Sequence, residues 1–150
     1  MEKMKRGKLK IYTDGASRGN PGPGAAAFII TDEKGSVLKE RAEFIGPCTN
    51  NVAEYRALIS ALKEAAKLIG ESGGAEITCF SDSQLMVSQM KGEYKVKNAR
   101  MKELRDEAKA LERKFRKVEY VNVRRSDPMI RKADRMVNNM LDTMHELGRD

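Results

Sequence analysis

A chain of 150 residues, 40% hydrophobic and 34% charged, is long enough to bury one core without disulfide staples. No apolar run reaches the length of a membrane span and no signal-peptide pattern opens the chain, so neither a membrane protein nor a secreted one is expected. The net charge of +7 points to an anionic partner, most commonly nucleic acid, although excess Lys also keeps a protein soluble. Cys48 and Cys79 lie in or beside apolar stretches at no metal-binding spacing, which argues against a disulfide framework and for a reducing, cytoplasmic setting.

Residues 1–7 are expected to form a basic flexible arm, residues 8–144 a single domain, and residues 145–150 a tail. Leu9 to Thr13 alternates as a strand and delivers Asp14 into a turn rich in Gly and Pro, which supply the special corners of hairpin loops. Ala25 to Ile30 reads as a second strand and Ser36 to Ile45 as a third, ended by Gly46-Pro47. Strands joined by short links make an antiparallel meander. A helix is predicted from Asn51 to Ile69, because Tyr55, Leu58, Ile59, Leu62, Ala65, Ala66 and Ile69 repeat at helical spacing. Asn51 is its expected N-cap and Gly70 its stop.

Ala75 to Phe80 is the fourth predicted strand, and Ser81-Asp82-Ser83 closes it and caps a short helix through Met90. A basic linker, Lys91 to Asn98, leads to a helix over about Ala99 to Lys114. Val118 to Val123 is the fifth strand, Arg124-Arg125-Ser126 a loop, and Asp127-Pro128 the start of a last helix running to about Met144. The order βββαβααβα predicts an α/β domain with a five-stranded mixed sheet flanked by helices. Strands that follow a helix are expected parallel to the first.

Four acids stand at telling places: Asp14, Glu54, Asp82 and Asp134. Parallel neighbouring strands bring Asp14 and Asp82 out at one carboxyl edge, the edge that ligands favour in open α/β sheets. Each acid also has a plain structural use. Asp14 suits a turn, Glu54 a capping partner for Asn51, and Asp82 a helix cap. Asp134 sits on the stripe of Ile130, Ala133, Val137, Leu141 and Met144, where a carboxylate needs a salt bridge or a cation. Acids converging in a basic protein call for a divalent ion, and oxygen-only donors suit Mg²⁺ or Mn²⁺. Two such ions about 4 Å apart clamp a phosphodiester. These residues thus lead to metal-dependent phosphodiester hydrolysis without naming the nucleic acid. A P-loop is excluded, since the glycine run lacks its Gly-Lys-Ser/Thr ending.

The stretch from Tyr12 to Gly24, YTDGASRGNPGPG, closely resembles the opening motif of type 1 ribonuclease H. Thr49-Asn50-Asn51-Val52-Ala53-Glu54-Tyr55 resembles the family's second motif, Ser81-Asp82-Ser83-Gln84 the third, and Ala133-Asp134 the fourth, in the family's order from roughly Lys8 to Leu141. The resemblance implies a ribonuclease H fold, with Asp14, Glu54, Asp82 and Asp134, joined by the backbone of Gly15, as ligands of two Mg²⁺ ions. It implies cleavage of the RNA strand of an RNA–DNA hybrid, leaving 5′-phosphate and 3′-hydroxyl ends; a monomer is expected. Double-stranded RNA or DNA cleavage, or hybrid binding without cleavage, are the alternatives. Asn20, Asn50, Asn51 and Gln84 match positions that contact bases or 2′-hydroxyls, and Thr49 and Asn98 match a pocket for a DNA-strand phosphate.

The sequence also departs from that pattern. Many bacterial members carry a His ten residues before the last acid, where this chain has Arg124. Arg124 or Arg125 is therefore the candidate for contact with the cleaved phosphate, and His145, the one His, is read as a surface residue. The tryptophan-rich basic protrusion is replaced by the shorter Lys91 to Lys97, as in archaeal-type members.

Overall fold

A computed structural model describes residues 6–70 and 74–149. Five strands and four helices follow one another as β1 (Arg6–Ser17), β2 (Gly22–Asp32), β3 (Val37–Cys48), α1 (Asn50–Ile69), β4 (Gly74–Ser81), α2 (Gln84–Met90), α3 (Ala99–Glu112), β5 (Lys117–Asn122) and α4 (Pro128–Glu146). The sheet order is β3-β2-β1-β4-β5. β1, β2 and β3 pair antiparallel, and β4 and β5 continue the sheet parallel to β1. This is the mixed α/β architecture that the element order predicts.

Side chains alternate across a strand, and the two faces of β1 meet different helices. Leu9 and Ile11 face α1 in the larger core, with Tyr55, Leu58, Leu62, Ile77, Met90 and Leu104. Tyr12 faces the other way, into a smaller core built from Ala25, Ala27, Ile29, Ala133, Val137 and Leu141, which α4 covers. By the same alternation Asp14 shares the α4 face, while Gly15 lies under α1. Between β3 and α1, the buried Glu64 carboxylate binds Arg41 at 2.7 Å and Lys39 at 3.2 Å. Burial alone would raise its pKa, but these two cations hold it down at about 2.

Several element boundaries differ from those expected. β1 does not end at Asp14 but continues to Ser17, paired with β2 through Asp14↔Ala27, Gly15↔Ala26 and Ser17↔Gly24. Only its ladder with β4 stops early, at Tyr12↔Phe80. Gly46-Pro47 does not end β3, which runs on to Cys48 across a bulge: Gly24 faces Gly46 while Ala25 faces Phe44. Gly46 adopts a φ of 89°, a conformation that glycine takes without steric cost, so the strand bends there instead of stopping. Arg6 and Gly7, expected in the basic arm, open β1 against Gly74 and Ala75; residues 1–5 lie outside the described residues. α4 extends to Glu146 rather than Met144, so the exposed His145 is helical.

Candidate functional site

Where β1 runs past the end of its ladder with β4, the sheet edge opens, and side chains from α1 and from the residue after β4 enter. Asp14, Glu54 and Asp82 each bring a carboxylate oxygen to within 4.8 Å of the others. Glu54 is 8% exposed, and its Oε1 accepts a hydrogen bond of 2.7 Å from the Gly15 backbone N–H. It is therefore a tie from α1 to β1 and not a capping partner of Asn51. The true N-cap of α1 is Thr49, whose hydroxyl accepts from Val52 N–H at 3.3 Å. Gly15 makes the close approach feasible. A Cβ there would stand 2.3 Å from the Ala53 carbonyl carbon and oxygen.

Asp82 likewise is not the cap of α2. Ser83 fills that role, accepting from Met86 N–H, which leaves the Asp82 carboxylate free to face the cluster. Arg125 stands 3.6 Å from it. Asp134 differs most from expectation: it does not sit on the buried stripe of α4 but is exposed beside it, between the buried Ala133 and Val137. From there it faces Asp14, whose pKa it raises.

The electrostatics follow from this crowding. Asp14, 7% exposed, is pushed from 3.8 to about 8 by burial first, then by the charges of Asp82 and Asp134. Glu54 is raised well above its ordinary value by burial, then by Asp14 and Asp82. The solvent-shielded Asp14 Oδ2 has no hydrogen-bond donor among the described residues. An anionic, oxygen-only cluster with an orphaned acceptor suits a hard divalent cation, whose charge would remove the repulsion and whose coordination would satisfy that oxygen.

The amides expected at the substrate lie next to this cluster. Asn50 Oδ1 accepts from Ser17 N–H at 2.8 Å and from the Ser17 hydroxyl at 3.2 Å. Asn20 Oδ1 accepts from Asn50 N–H at 3.0 Å. Both carbonyl oxygens are thus engaged inside the protein, and the exposed NH₂ groups are what these residues present outward. Asn51 and Gln84 are exposed at the first turns of α1 and α2. Asn98 is the N-cap of α3, with Oδ1 bound to Met101 N–H at 3.1 Å, so its structural use is direct. Arg124 is exposed, and it is the neighbouring Arg125 that reaches the acids. Sequence reasoning passed over Asn138, which donates to Asp134 from one turn later on α4, and Arg18, which donates in turn to Asn138. The one signal available was that Asn138 follows Asp134 by a helical turn.

A mixed sheet in this order, with carboxylates gathered beyond its two central parallel strands, is the ribonuclease H-like class of fold. A family profile described as "Reverse transcriptase-like" matches residues 12–140. A bifunctional protein of Mycobacterium tuberculosis is 43% identical over 136 residues, covering 90% of this chain and 36% of its own length. The solved N-terminal RNase H domain of that protein superposes with a TM-score of 0.86 at 38% identity, covering 95% of this chain and 99% of that one. Ribonuclease HI of Halobacterium salinarum is 36% identical, covering 91% of this chain and 65% of its length. A third neighbour, LC11-RNase H1 solved in complex with an RNA/DNA hybrid, gives a TM-score of 0.84 at 39% identity, covering 90% of this chain and 97% of that one. The chain belongs to the type 1 ribonuclease H family. It spans little more than a third of the mycobacterial relative's length, and that third is the ribonuclease H domain.

Proposed function

We propose that the protein is a metal-dependent endoribonuclease that cuts the RNA strand of RNA–DNA hybrids, leaving 5′-phosphate and 3′-hydroxyl ends. The observation that carries this reading is the convergence of Asp14, Glu54 and Asp82 within 4.8 Å in a fold shared with a relative solved on a hybrid. Asp14, Glu54, Asp82 and Asp134 would hold two Mg²⁺ ions, for which Mn²⁺ substitutes. Such ions supply Lewis acidity for attack of water at the scissile phosphate and for departure of the 3′-oxygen.

The chain's own residues do the rest. The Gly15 N–H fixes the Glu54 carboxylate, so the cluster is preorganised. Asn20 and Asn50 turn NH₂ donors outward, which suits acceptors on the bases and the 2′-oxygen, the atom that marks the RNA strand. Arg125, held near Asp82, supplies positive charge where a family His would stand close by, and contacts the cleaved phosphate with Arg124. Thr49 and Asn98 combine capping with contact to the DNA strand. We assign a monomer of reducing, cytoplasmic surroundings, in keeping with two buried free cysteines.

The test is a cleavage assay with labelled hybrid, double-stranded RNA and double-stranded DNA, each with Mg²⁺ or with chelator. Hybrid cleavage that chelation abolishes is expected; cleavage indifferent to chelation sinks the metal mechanism. Asp82→Asn should lower turnover about 100-fold or more while the circular dichroism stays that of the wild type. An Asp82→Asn variant with wild-type turnover removes Asp82 from the site.

A further inference from the structure

Of the four acids, Asp134 alone is exposed, and it alone is carried by α4. Asp14 and Glu54 are held by burial, Glu54 also by the Gly15 N–H, and the half-buried Asp82 lies beside Arg125. An exposed aspartate on a helix surface has several rotamers, so something must select the one that faces Asp14. Asn138, one turn later, is in a position to do so. Its Nδ2 donates to Asp134 Oδ1 at 3.3 Å and to the Asp134 carbonyl at 3.0 Å. Asn138 is itself gripped by Arg18, which donates to the Asn138 Oδ1 and to its carbonyl, each at 3.3 Å. The same guanidinium pairs with Asp142 at 2.6 Å. Arg18 stands in the turn after β1, between Ser17, which binds Asn50, and Asn20, which binds the Asn50 N–H. A continuous set of polar contacts therefore runs from the amides of the hybrid-facing turn to the fourth acid.

We infer that Asn138 and Arg18 are positioning residues for Asp134, and that they tie its orientation to the turn carrying Asn20. The amide assignment is self-consistent: Arg18 can only donate, so Oδ1 faces it and Nδ2 is left for the carboxylate. With the pair in place, Asp134 arrives preset toward Asp14. Without it, the carboxylate swings freely in solvent and must be ordered each time a cation binds. Partners of this kind around a ligand commonly govern affinity for the ion by about tenfold or more. The inference rests on the metal reading above, and the experiment separates the two.

Asn138→Ala, Arg18→Ala and Asn138→Gln are compared with wild type by Mg²⁺ titration of hybrid cleavage and, without substrate, by the rise in Tm on adding Mg²⁺. Asn138→Ala should raise the Mg²⁺ needed for half-maximal cleavage about tenfold and blunt the Mg²⁺-dependent rise in Tm, with the chelator Tm unchanged. Arg18→Ala should shift it the same way, and the double variant no further than Asn138→Ala. Asn138→Gln should restore most of the response, since Gln also bonds an Asp one turn away. A Mg²⁺ response in Asn138→Ala equal to that of the wild type overturns the inference alone, as does a loss of Tm in chelator with no change in that response. A wild type that Mg²⁺ neither stabilises nor activates overturns the metal reading and this inference with it.

Discussion

Asp14 is held in a place that opposes its own ionisation. Its carboxyl is raised from 3.8 to about 8 by burial, then by Asp82 and Asp134. A raised acid costs the folded state nothing while protonated and destabilises it once ionised. The penalty is absent below the unfolded value near 3.8, grows as pH rises through the interval, and is complete above about 8. With chelator present, Asp14→Asn should therefore be more stable than wild type by an amount near zero at about pH 4 and on the order of a few kcal/mol by about pH 8. The variant should be inactive throughout, a trade of stability for function common at charged sites. Thermal unfolding of both proteins across that pH range is the measurement. A difference that stays flat would mean that charge repulsion does not strain the site.

At the scale of elements, the site depends on how closely α1 settles on β1. The contact leaves no room for a side chain at Gly15: an added Cβ would meet the Ala53 carbonyl at 2.3 Å and the Glu54 nitrogen at 2.7 Å. Backbone cannot yield as a flexible side chain does, so Gly15→Ala should push the head of α1 outward, break the Gly15–Glu54 hydrogen bond and cost about 1–3 kcal/mol. Urea denaturation and the cleavage assay on the same preparation check this. Unchanged stability with unchanged turnover would show that α1 moves freely over the strand. At the head of the helix Thr49 and not Asn51 is the cap. α1 begins one residue earlier, and Asn50 is thereby placed to bind Ser17.

For the molecule as a whole, the net charge of +7 coexists with an acidic cluster at the sheet edge. Attraction of a polyanion and repulsion by the site's own carboxylates are separated in space, since none of the described basic residues is buried while Asp14 and Glu54 are. If the surface holds hybrid by phosphate contacts, counterion release makes binding fall steeply with salt. KM for hybrid should rise at least about tenfold between roughly 50 and 200 mM monovalent salt, with kcat changing little. Steady-state kinetics at several ionic strengths test this. A KM indifferent to salt would assign the excess Lys and Arg to solubility alone.

Element types and their order were legible because hydrophobic periodicity is local: Tyr55, Leu58, Ile59 and Leu62 mark α1 whatever they pack against. That Asp14, Glu54 and Asp82 converge was legible as well, because the motifs around them are contiguous in the chain. Misread were the features whose cause lies elsewhere in the fold. Gly46-Pro47 looks like a strand's end until β2 supplies a partner for the bulge. Asp134 looks like a core-facing acid because a helical stripe is broader than the contact it makes, and the sheet alone decides which of its residues are covered. Which donor holds Glu54, which arginine meets Asp82, and how Arg18 reaches across 120 residues of sequence to Asn138 are matters of tertiary contact. A chain's periodicity fixes the faces of its helices and strands, but only their packing selects which polar groups meet.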